Sequence, residues 1–177
     1  MPILKKKLLI IGSCGAVGLM GLAAFYYLTW QAPGFDRKMN RLPAELLQGL
    51  YAAEKFTLLS LNPVEVDPVS NTNATYFYKH QILGKSTVTD AKLKNDLIAS
   101  LQSGISNSRG IGYMCFNPRH GIRAERGTNR IDVVICFECA EVQVIFGPTN
   151  QSFLTTKAPA KTFNRALEKL GLPVSKE

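Results

Sequence analysis

Acidic residues are scarce in this chain: 13 Asp and Glu stand against 21 Lys and Arg, and the formal net charge is +8. Setting aside Lys5, Lys6 and Lys7 leaves 18 basic against 13 acidic residues, so the portion from Gln31 onward carries a mild excess of five. That excess suits solubility first, and attraction to an anionic surface or ligand second. Histidine is rarer still, with two residues. No Ser/His/Asp set has usable spacing and no carboxylate pair stands out, so an enzyme has no support in the residues. Gly84-Lys85-Ser86-Thr87 has the end of a phosphate-binding loop without its beginning, because Lys79 stands where the first glycine belongs. Aromatic residues are only sparsely interleaved with basic ones, so nucleic acid is not expected as a partner. Length excludes more: 177 residues suit one modest domain plus an anchor, not two full domains.

Long uncharged apolar runs are absent too, with one exception. Residues 8–30 (LLIIGSCGAVGLMGLAAFYYLTW) hold no charge and follow three lysines. At about 1.5 Å per residue such a run spans the hydrocarbon core of a bilayer as a helix. Tyr26, Tyr27 and Trp30 stand at its far end, where amphipathic rings favour the membrane interface. The run is longer than a usual signal-peptide core, which favours an uncleaved signal anchor. A cleaved signal peptide, with Gly21-Leu22-Ala23 as a poor cleavage site, and a lipoprotein signal at Cys14 are the alternatives. Lys5 to Lys7 adjoin the span more closely than Arg37, Lys38 and Arg41, so the N-terminus is placed in the cytoplasm and the domain outside. The expected organisation is a cytoplasmic basic N-terminus (1–7), a transmembrane helix (8–30), a linker (31–42) and one domain (43–177).

Within that domain, Leu46, Leu47, Leu50 and Tyr51 recur at helical spacing behind Pro43 and predict a helix over about 43–54. Phe56 to Leu61 predicts a strand stopped by Asn62-Pro63, and a loop follows over 62–75. Tyr76 to Val88 predicts one or two strands interrupted at Gly84, with His80 partly exposed. Asp90 to Ser103 is an amphipathic helix with an Asp90–Lys94 pair, closed by Gly104. Tyr113 to Phe116, Ile131 to Phe137 and Val142 to Phe146 predict an antiparallel meander, with turns at Pro118–Gly121 and Gly127–Asn129. A last helix runs from Pro159 to just before Gly171. The fold class is therefore α+β: a mainly antiparallel sheet of four to six strands with two or three packing helices.

Three of the four cysteines fall between Tyr113 and Phe146. Cys115, His120, Cys136 and Cys139 read C-x4-H, fifteen residues, C-x2-C, a possible Cys3His zinc set. Against zinc, no glycine follows Cys139 to make a ligand-presenting turn, the flanks read as continuous strand, and the expected compartment is oxidising. A disulfide from Cys115 to Cys136 or Cys139, or buried structural cysteines, is the leading reading. Thiol redox chemistry at Cys136-x-x-Cys139 is the third. No cofactor is required, with zinc as the alternative. Arg119, His120 and Arg123, with Arg126 and Arg130 beyond them, form a candidate site for a carboxylate or phosphate. The competing reading is a solvated hairpin tip with Glu125 and Asp132 as local partners.

The run C-F-N-P-R-H-G-I-R (Cys115 to Arg123), followed by I-D-V-V-I-C-F-E-C (Ile131 to Cys139), resembles a motif of uncharacterised bacterial exported and lipoprotein-like proteins. The stretch I-L-G-K-S-T-V-T-D (Ile82 to Asp90) and the helix after it are similar as well, so the resemblance covers roughly residues 55–147. It implies a bacterial origin, hence a domain on the periplasmic face, and a Cys/His centre that matters as a unit; it brings no activity. The expectation is a membrane-anchored envelope protein with a non-enzymatic domain that binds a protein or small-molecule partner. A zinc-binding or thiol-redox protein is the alternative.

Overall fold

The computed structural model describes residues 41–65, 74–110 and 115–175, all within one compact unit, Arg37–Glu177. The expected cytoplasmic segment, membrane helix and nearly all of the linker lie outside the described residues, as do most of the 62–75 loop and residues 113–114. Among the described residues no helix is long and apolar enough to cross a membrane.

Helix α1, Ala44–Tyr51, buries Leu46 and Leu50, and Glu45 sits in its first turn where the helix dipole favours a negative charge. It ends before the expected residue 54 because Glu54 already donates its N–H to the Glu125 carbonyl at 2.9 Å. The chain there has joined the sheet. Strand β1, Lys55–Glu65, is central and runs on past Pro63. Pro63 has no N–H for a ladder, and it is tolerated because the pairing breaks register between Leu61 and Glu65.

Strands β2, Tyr76–Phe77, and β3, His80–Thr87, form a hairpin whose turn is Tyr78-Lys79, not Gly84. Both turn residues have positive φ (49° and 68°), the geometry that two-residue hairpins demand and that Asn-Gly usually supplies. Side chains hold it: Tyr78 Oη donates to Asp132 Oδ2 at 2.9 Å and Lys79 Nζ to Glu65 Oε1 at 2.7 Å. Gly84 marks the place where the β1–β3 register shifts.

Helix α2, Ala91–Ser106, is capped by Asp90, whose Oδ1 accepts from Lys92 N and Leu93 N. The expected Asp90–Lys94 pair is not made. Asp90 is committed to the cap and to Lys169, while Lys94 Nζ donates to the Tyr51 and Ala53 carbonyls. Gly104 does not close the helix either; it lies inside it, buried against Pro159 and Thr155.

Strands β4 (His120–Arg126), β5 (Asn129–Cys136), β6 (Glu141–Phe146) and β7 (Thr149–Leu154) form a meander. The sheet has seven antiparallel strands in the order β2-β3-β1-β4-β5-β6-β7. This exceeds the expected four to six. Neither β4 nor β7 is among the expected strands, β7 because it is an exposed, polar edge strand with no apolar alternation, and Cys115 and Phe116, the described part of the expected strand Tyr113–Phe116, are not in a strand. Helix α3, Ala160–Lys169, packs Phe163, Ala166 and Leu167 inward and ends at Gly171 with φ +67°.

The three helices cover one face of the sheet. Phe56, Leu58, Ile122, Val133, Ile135 and Val142 point into that layer, with Leu97, Leu101 and Phe163 opposite. A smaller cluster of Leu59, Leu61, Phe77 and Val134 occupies the other face. The period-two alternation thus gives every residue of β1, β4 and β5 a defined side.

Candidate functional site

Pro118-Arg119-His120-Gly121 is not a turn. Arg119 donates its N–H to the Ile135 carbonyl (3.3 Å), and its own carbonyl accepts from Leu61 N (3.0 Å), so the backbone is clamped between β5 and β1. Gly121 serves close approach instead: a Cβ there would sit 3.0 Å from Phe77 Cε1.

His120 shares the helix-side face with Ile122 and Ala124. Its ring lies 5.4 Å from Phe137 and 5.6 Å from Phe163, and Nε2 is 2.8 Å from Asn164 Oδ1. Burial pushes its pKa down to about 4, against the opposing pull of the Asn164 hydrogen bond. The imidazole is therefore neutral at pH 7 and already engaged. Ser60 is its cross-strand partner, but Ser60 is fully buried and its Oγ makes no hydrogen bond, so the pair is no activated nucleophile.

Arg119 points into a groove of about 310 Å³ lined by Asn117, His120, Glu138, Lys157, Asn164 and Ser175 among others. Its side chain is only 18% exposed, and Nη1 meets Glu138 Oε2 at 2.6 Å. The guanidinium holds the Glu138 carboxyl below its ordinary value, while Glu138 itself is 48% exposed.

Arg123 is not in this groove. Strand alternation sends it to the opposite face, where it grips Asp132 with two hydrogen bonds (2.8 and 2.9 Å) above the Phe77 ring. Asp132 also takes Arg130 at 3.4 Å and the Tyr78 hydroxyl, whose pKa rises through burial and this neighbouring carboxylate. Toward the hairpin tip, Glu125 pairs with Lys55, and Arg126 approaches Glu54 at 3.9 Å. The expected anion set thus divides: Arg119 and His120 share a groove, and Arg123 belongs to a structural ion cluster.

The cysteines divide from the histidine in the same way. Cys136-Phe137-Glu138-Cys139 is not continuous strand but leads into a turn joining β5 to β6, with Ala140 at φ +56° in the role expected of glycine. Cys139 N–H donates to Cys136 Sγ at 3.0 Å, and Asn117 N–H to Cys139 Sγ at 3.4 Å. The Cys115 and Cys139 thiols hydrogen-bond each other. That bond raises the Cys115 pKa, and burial raises that of Cys139. All three cysteines are free. Cys136 shares the side of Val134, opposite His120, so the four residues do not converge. Among the described residues no group of three or more His, Cys, Asp or Glu is arranged to hold a metal.

His80 is buried rather than partly exposed, with Nδ1 unpartnered, and burial lowers its pKa. Asn164, Lys157 and Glu138 belong to the groove but carry no local sequence signal. They come from a helix, the segment before it and a turn, and only the fold brings them to Arg119. No family model matches this chain, and neither a curated protein nor a solved structure matches it.

Proposed function

We propose that this is a membrane-anchored protein of the bacterial envelope whose domain binds a small carboxylate- or phosphate-bearing ligand in the Arg119 groove, without catalysing a reaction. One observation carries the binding reading: a largely buried guanidinium is neutralised by a half-exposed carboxylate on a turn. Glu138 stands where a ligand anion would stand, and it can swing into solvent when displaced. Lys157 adds a second positive charge beside it, and the neutral His120–Asn164 pair adds hydrogen-bonding groups. An Arg fork desolvated to this degree gains more from a bidentate anion than a surface lysine would. The anchor reading rests on the uncharged run 8–30 behind Lys5, Lys6 and Lys7, and it places the domain outside the cytoplasm.

Calorimetric titration of the full chain in detergent with acetate, succinate and inorganic phosphate tests the binding. Glu138→Gln removes the internal competitor and should tighten binding by about tenfold, roughly 1.4 kcal/mol. Arg119→Gln should abolish it. Affinity unchanged by both substitutions refutes the assignment. A reporter fused after Glu177 tests the orientation.

A second reading, thiol redox chemistry, is favoured by the hydrogen-bonded Cys115–Cys139 pair. Raised thiol pKa values oppose it, because the thiolate is the reactive species.

A further inference from the structure

We propose that Cys115 and Cys139 form a disulfide that ties the segment 115–119 to the β5–β6 turn and so fixes the two walls of the anion groove. The pairing follows from geometry. Cys115 is exposed, so an oxidant reaches it, and two residues on, the same segment is held against Cys139, whose sulfur accepts the Asn117 N–H at 3.4 Å. Cys136 is excluded by position: it ends strand β5, and its sulfur is held inside the turn, where it accepts the Cys139 N–H at 3.0 Å. The consequence for the groove follows from which residues each segment supplies. Asn117 and Arg119 lie just beyond Cys115, while Phe137 and Glu138 precede Cys139. At present these walls are joined by the Asn117–Cys139 hydrogen bond and the Arg119–Glu138 pair. A covalent bond makes that juxtaposition permanent and preorganises the groove.

The chemistry requires an oxidant, and a small-molecule disulfide serves. The Cys115 thiolate attacks one sulfur of RSSR, forming a mixed disulfide and releasing RS⁻, which takes a proton. The Cys139 thiolate then attacks Cys115 Sγ and releases the second RS⁻. Two protein thiols are oxidised by two electrons, and RSSR is reduced to two RSH. High thiol pKa values make both cysteines slow nucleophiles and poor leaving groups. These are the properties of a bond that forms once and persists, not of a catalytic redox pair.

The effect on ligand affinity rests on the groove reading above, whereas the disulfide does not, and the test separates them. The full chain in detergent is equilibrated with oxidised and reduced glutathione, alkylated under native conditions and digested with trypsin; Arg119, Arg123 and Arg130 place Cys115 and Cys139 on different peptides. The expected result is one cross-linked pair, Cys115 with Cys139, with Cys136 alkylated only after unfolding. Cys139→Ser should leave Cys115 as a glutathione adduct or alkylated. Full native alkylation of Cys115 under oxidising conditions, or a bond to Cys136, overturns the proposal. The affinity for inorganic phosphate is then compared before and after reduction. A fall of severalfold on reduction, absent in Cys139→Ser, supports the coupling. A confirmed bond with unchanged phosphate affinity overturns the coupling, and a confirmed bond with no phosphate binding in either state overturns the groove reading instead.

Discussion

Gly104→Ala is expected to destabilise the domain, against the usual direction for a helical glycine. In an exposed helix interior the substitution gains about 1 kcal/mol, because glycine loses more backbone freedom on folding. Here an added Cβ would lie 2.5 Å from Pro159 Cγ and 2.6 Å from Thr155 Oγ1. Pro159 is buried and stands at the start of α3, so its ring has no rotamer into which to retreat. Overfilling a packed contact costs about 1–3 kcal/mol. Backing α2 away also strains the Thr156 N–H to Gly104 carbonyl bond (3.1 Å), a contribution of about 1 kcal/mol. The net loss is therefore about 1–3 kcal/mol. With a urea m-value of about 2 kcal/mol/M, the midpoint falls by about 0.5–1.5 M at unchanged m. Gly49→Ala in α1 is the control: its Cβ meets only Ile131, closest at the flexible Cδ1 tip (2.5 Å), which can rotate aside, so the midpoint should move little. Urea unfolding of the chain from Gln31 onward measures both. A Gly104→Ala variant more stable than the parent would refute the close α2–α3 packing from which the sign is derived.

Three further outcomes follow from the same structure. His120 has its pKa lowered to about 4, against about 6.5 when unfolded, so the unfolded chain binds a proton first as the pH falls. Stability is full above about pH 6.5 and declines toward pH 4, by about 3 kcal/mol from this group. His80 acts in the same direction. Urea midpoints across this window should show the loss, and His120→Gln should flatten it. Asp132→Ala leaves Arg123 and the Tyr78 hydroxyl without their partner. Because Arg123 is partly solvated, the expected cost is about 2–3 kcal/mol rather than the value for a fully buried pair. The double variant with Arg123→Met should recover part of that loss in the urea midpoint. Finally, Glu54→Gln should leave the midpoint within about 0.5 kcal/mol, since its contact with Arg126 is 3.9 Å long and both side chains are exposed.

The elements that local residues decide were legible. The α3 helix with its terminal glycine, the Gly127 hairpin and the apolar strands β1, β5 and β6 all carry their signal within a few residues. What failed, failed where a distant partner overrides a local preference. Tyr78-Lys79 turns without glycine because Asp132 and Glu65 hold its side chains. Ala140 substitutes for glycine after Cys139 while its carbonyl accepts from Thr155 N at 2.9 Å. Strand β7 has no apolar pattern because it is an edge strand that owes its place to pairing with β6.

From the sequence alone came the α+β class, the charge-free run 8–30, and the gathering of cysteine, histidine and arginine into one stretch. Those properties are local: they depend on periodicity, composition and spacing. Which of the gathered residues work together was decided only by the tertiary structure. Neighbours in a strand point to opposite faces, so His120 parted from Arg123 and from Cys136, while Arg119, just before β4, stayed beside His120 in the groove, and Asn164 and Lys157 arrived from far along the chain. A residue's side of the sheet, and what packs over that side, is a property of the fold.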